Sequence, residues 1–89
     1  MVETRKTLAE LEVLNEAELE TIIAAKGADA DDAKYSLGKL MIEGTNPDAV
    51  ARNDRKGINW VKEAADNDHF LALEFKTYYD IRFEKYPDI

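Results

Sequence analysis

A chain of 89 residues, 45% of them hydrophobic, is long enough for one small domain with a modest core and too apolar for a fully disordered segment. Its formal charge of -7 lacks the basic footprint that a phosphate backbone requires, which argues against direct nucleic-acid binding. Cysteine is absent, which removes disulfides and thiolate metal ligands, and no uncharged apolar run reaches the length of a membrane span.

The negative excess is concentrated early: residues 1–45 carry 10 acidic against 5 basic side chains, and residues 46–89 carry 9 against 7. A soluble acidic surface accounts for this, and a basic partner is compatible with it. Near the N-terminus, Glu10 and Glu12 interrupt what would be a signal-peptide core after Arg5 and Lys6, so the expected compartment is the cytoplasm.

In chain order, Thr7-Leu8-Ala9-Glu10 has the form of a capping box, and Leu8, Leu11 and Leu14 make a short apolar stripe. Asn15-Glu16-Ala17-Glu18 repeats the capping pattern, so two short helices joined at Asn15 are expected, the second over about 16–26. Leu19, Ile22 and Ile23 form its buried face, Ala24 and Ala25 would admit a close neighbour, and Gly27 suits a left-handed terminating residue.

Asp29 or Asp31 can cap a third helix over about 31–43. Ala33, Leu37, Leu40 and Met41 share one face of it, with Tyr35 and Ile42 on the flanks. Gly38 costs this helix about 1 kcal/mol relative to alanine, which points to a close helix crossing. Gly44 ends the helix, and Val50 is placed to anchor the 45–53 loop in the core. Asn53 or Asp54 caps a fourth helix over about 55–66, whose inner face is Ile58, Val61, Ala64 and Ala65, with Trp60 half-buried on its flank.

Arg52, Arg55 and Lys56 crowd the start of the fourth helix, the end least favourable to positive charge. They are either tolerated at the surface or used to hold an acidic group. The last helix, about 69–84, carries Phe70, Leu71, Leu73, Phe75, Tyr78, Tyr79, Ile81 and Phe83 on more than one face. Ala72, Phe75 and Tyr79 are expected against the fourth helix. The remaining large side chains either close the core or form an aromatic protein-binding surface.

Reactive chemistry finds little support. His69 is the only histidine and reads as a surface residue beside Asp66 and Asp68. It cannot assemble a metal cluster or a triad with Ser36, the only serine. Asp29, Asp31 and Asp32 lack calcium-loop spacing, because position 12 counted from Asp29 is Leu40. No glycine-rich phosphate loop precedes a helix, and Glu16, Glu18 and Glu20 read as a solvated stretch. No cofactor, catalytic residue or metal ligand is assigned.

The stretch Ala33-x-Tyr35-x-Leu37-Gly38-x-Leu40, then Gly44, then Asp54-x-Lys56-Gly57-x-x-Trp60-x-x-x-Ala64-Ala65 resembles a Sel1-like repeat, a helix-turn-helix unit related to tetratricopeptide repeats. Gly57 stands where that family usually has alanine, and Asp68 where it usually has glycine, which would adjust the turn. Ala24-Ala25 matches Ala64-Ala65 at an offset of 40, and Ala33 matches Ala72 at 39, but Lys76-Thr77 replaces the Leu-Gly pair. The resemblance implies an all-α fold of about 4–5 helices: antiparallel helix hairpins of a short Sel1/tetratricopeptide-like solenoid. One domain over 1–89 would hold a complete repeat at about 30–68, a partial unit before it and a divergent capping helix at about 69–84.

The resemblance also implies an adaptor that binds a protein or peptide and is not an enzyme. The candidate binding residues are Trp60, Phe70, Tyr78, Tyr79, Phe83, Arg52 and Arg55. One complete unit is too short for a long groove, so a short groove, a helix face or a homodimer would serve. The alternative is a small acidic inhibitor or immunity-type protein that blocks a basic surface, including by mimicry of nucleic-acid charge.

Overall fold

The computed structural model describes residues 7–78, Tyr78 through its backbone alone. Within that range the chain is all-helical: α1 (Leu8–Glu12), α2 (Glu16–Ala24), α3 (Ala30–Glu43), α4 (Asp54–Asp66) and α5 (Phe70–Tyr78). The expected continuation of the last helix to about residue 84 lies outside the described residues.

Both predicted capping boxes form. The Thr7 and Asn15 side chains accept from the backbone N–H of Glu10 and Glu18, and the two glutamates accept in return from the cap backbones. α1 and α2 are therefore separate helices that meet at Asn15. Asn53 caps α4 by accepting from the Lys56 N–H at 3.1 Å, while its own N–H donates to the Met41 carbonyl at 2.9 Å. Gly44 ends α3 at φ 64° and donates to the Leu40 carbonyl. The loop between α3 and α4 is pinned by Val50, which is fully buried, and by the Glu16 N–H donating to the Ala49 carbonyl.

Several local expectations are corrected. α2 ends at Ala24, earlier than about 26, so the left-handed position falls on Lys26 (φ 55°) rather than Gly27. Ala24 and Ala25 are exposed; α2 approaches α3 through Leu19, Ile22 and Ile23. Asp29 occupies the position before α3 but its side chain makes no capping bond, and Asp31 accepts from the Asn67 amide at 2.9 Å instead. Tyr35 and Ile42, expected on the flanks, are buried. The reason is that α3 is covered on two sides, so its apolar stripe must be wide.

Those two sides are distinct clusters. Ala33, Leu37, Leu40 and Met41 pack with Leu11, Leu19 and Val50. Tyr35 and Ile42 pack with Ile58, Val61, Ala64 and Ala65 of α4 and with Ala72 and Phe75 of α5. α3 and α4 make the largest contact and run antiparallel. Asn53 reaches Met41, Gly57 lies on Gly38, the Lys34 ammonium is 3.5 Å from Glu63, and Asn67 reaches Asp31. A Cβ on Gly38 would lie 2.6 Å from the Gly57 carbonyl oxygen, and one on Gly57 would lie 2.7 Å from that of Gly38. The close crossing inferred from Gly38 is thus made by two glycines facing each other. They let the helices approach until Val61, Met41 and Ile42 interlock around them.

The turn between α4 and α5 positions everything that follows. The Asp68 N–H donates to Ala65 and the His69 N–H to Ala64, at 2.9 and 3.0 Å, the two bonds of a Schellman termination. Asp68 holds the left-handed conformation at φ 63°. Aspartate tolerates that region better than most side chains, so the turn is kept without a glycine.

Candidate functional site

α5 has a covered face and an open one. Ala72 and Phe75 are buried in the cluster with α4, and the Phe75 ring meets Tyr35 edge-on at 6.0 Å. Leu71 is partly buried against the same cluster. On the other side Phe70 is 69% exposed and Leu73 42% exposed. These two residues, with Glu74 and Thr77, line a shallow depression of about 490 Å³. The spacing 70, 73, 74, 77 is that of one helix face. Buried Ala72 and Phe75 fix the rotation of α5, and that rotation turns Phe70 and Leu73 outward.

The structure places the other predicted residues elsewhere. Trp60 is half-buried against the cluster that contains Leu37 and Met41, and it lines a separate depression of about 500 Å³ with Ile23, Lys34 and Glu63. Arg52 extends over Gly44, with its side chain 61% exposed and its Nε 3.4 Å from the Asp54 carboxylate. Arg55 is exposed in the first turn of α4. Arg52 therefore has a carboxylate of its own, and Lys56, another member of the trio, is balanced by Glu16, which lies 3.2 Å from its ammonium. The Tyr78 side chain, Tyr79 and Phe83 lie outside the described residues. The predicted set is thus dispersed: Phe70 belongs to the open face of α5, and Trp60 and the arginines do not.

His69 departs from the position expected of it. It is not a surface histidine. Its side chain is 11% exposed, its ring stacks on Tyr35 with centroids 5.3 Å apart, and Nε2 is 2.6 Å from the Asp32 carboxylate. Its Nδ1 accepts from the backbone N–H of Ala72 at 3.2 Å, and its carbonyl accepts from Leu73, so His69 is the N-cap of α5. The sequence placed His69 at the start of the last helix, at about residue 69, one residue before α5 begins. The partner, 37 residues away, was not legible in the sequence. Beneath the ring, burial pushes the Tyr35 phenol above its ordinary pKa; Lys39 opposes this, and Glu43, Glu12 and Glu74 add to it.

Compared with family models, curated proteins and solved structures, the chain matches none. Among the described residues, no helix is long and apolar enough to cross a membrane.

Proposed function

We propose that this chain is a cytoplasmic, non-enzymatic adaptor that binds a protein or peptide through the open face of α5. The observation that carries the reading is the exposure of Phe70 and Leu73 on a helix whose opposite side is anchored by buried Ala72 and Phe75. Large apolar side chains held outward on a fixed helix are the usual anchors of a protein interface, because they lose little conformational freedom on docking. The resemblance of residues 33–65 to a Sel1-like repeat supports the same reading, as such units commonly serve as binding scaffolds.

The test is a double substitution, Phe70→Ser with Leu73→Ser, in the full chain. Both side chains are exposed, so unfolding stability should move by no more than about 1 kcal/mol. Capture of native partners, compared side by side with the unsubstituted chain, should lose those held by this face; two anchors at about 1–2 kcal/mol each weaken binding about 30- to 1,000-fold. Partners retained equally by both proteins would refute the assignment. Binding that collapses steeply with added salt, yet ignores the double substitution, would instead mark an acidic inhibitor of a basic surface.

A further inference from the structure

The His69 ring uses both nitrogens, and its two bonds lead to different helices. A backbone N–H can only donate, so the Nδ1 that receives the Ala72 N–H must carry a lone pair. The proton of the neutral ring therefore sits on Nε2 and is donated to Asp32 on α3. Protonating Nδ1 would leave two donors facing each other across the 3.2 Å contact with Ala72. The same event would strengthen the bond to Asp32, since a cationic donor to a carboxylate is the stronger pair.

We infer that His69 is a proton-operated latch between α3 and α5: the neutral ring caps α5 through Nδ1, and the protonated ring stays on Asp32 and lets go of the first turn of α5. This stands apart from the protein-binding reading, although the released turn is the one that carries Phe70 and Leu73. Histidine is the side chain whose charge change ordinarily falls between about pH 5 and 8, and the other titratable groups around the ring, among the described residues, are engaged or exposed. On α3, Asp32 is bonded to the ring, Asp31 is bonded to Asn67, and the stacked Tyr35 phenol remains neutral far above this range. On α4, Glu63 is engaged with Lys34. Asp66, Asp68 and Glu74, on the end of α4, the turn and α5, are exposed carboxylates.

Nuclear magnetic resonance on the full chain tests this in two ways. The ring nitrogen shifts at about pH 7.5 should report the tautomer with the proton on Nε2. Amide exchange at Ala72, corrected for its intrinsic pH dependence, should lose protection about fivefold as the ring protonates, the effect of losing a typical N-cap bond. In His69→Asn the carboxamide caps without titrating, so protection at residue 72 should stay level over the same range. Three results would overturn the latch: a neutral ring protonated on Nδ1, constant protection at Ala72 through the ring's titration, or the same fivefold loss in His69→Asn. If that variant fails to fold, the two measurements on the unsubstituted chain decide the question alone.

Discussion

Replacing Gly38 by alanine adds one methyl group at the α3–α4 crossing. It would sit 2.6 Å from the Gly57 carbonyl oxygen, 2.6 Å from a Val61 methyl and 3.0 Å from the Val61 nitrogen. Val61 can turn its side chain, but the other two atoms are backbone, so the helices must part by about 1 Å for ordinary van der Waals contact. Overpacking of this kind costs about 1–3 kcal/mol, and the backbone contacts place it at the upper end. Alanine returns about 1 kcal/mol through its better helix propensity. The net expectation is a loss of about 2 kcal/mol, equivalent to a fall in Tm of about 8–16 °C for a domain of this size. Urea unfolding followed by circular dichroism gives the value.

Two controls make the effect of Gly38→Ala interpretable. At Gly27 nothing lies within 4 Å of where a methyl group would sit, and φ is not positive, so Gly27→Ala should be neutral or stabilise by up to about 1 kcal/mol. Gly57→Ala meets the Gly38 carbonyl oxygen at 2.7 Å, so its cost should resemble that of Gly38→Ala. The double variant should cost less than the sum by at least about 0.5 kcal/mol, because helices already separated for one methyl group accommodate the other. A Gly38→Ala protein as stable as the original, or strictly additive single costs, would show that the two glycines are not the closest point of the crossing.

Two further outcomes follow from single side chains. Gly44→Ala should destabilise by about 1–2 kcal/mol in the same assay, because φ 64° penalises a Cβ and the Arg52 side chain lies 3.2 Å from its position. Burial raises the Tyr35 pKa in the folded state, so the fold holds this proton more tightly than the unfolded chain does. The associated stability is present below the unfolded value near 10.0 and is lost as pH rises through the folded value. Stability measured upward from pH 9 should fall less in Tyr35→Phe than in the original chain; equal slopes would assign the alkaline loss to other groups.

Features that depend on neighbours three and four residues apart were legible before any tertiary contact. Thr7 with Glu10 and Asn15 with Glu18 close their caps within one turn, so the pattern alone marks where α1 and α2 begin. The apolar spacing of α4 sets its inner face, and Gly38 inside α3 signals a close crossing because nothing local favours it there. The tertiary structure decided what depends on partners far along the chain. Gly27 was the better local candidate for a left-handed residue, yet α2 stops early and Lys26 takes that conformation. Tyr35 became core because α4 and α5 cover it together, and His69 left the surface at the turn between them, finding Asp32 and the Tyr35 ring there. The outward turn of Phe70 was likewise set by the burial of Ala72 and Phe75 against α4 and α3. Helix periodicity places these side chains on faces, but which face is covered is fixed only when another helix arrives.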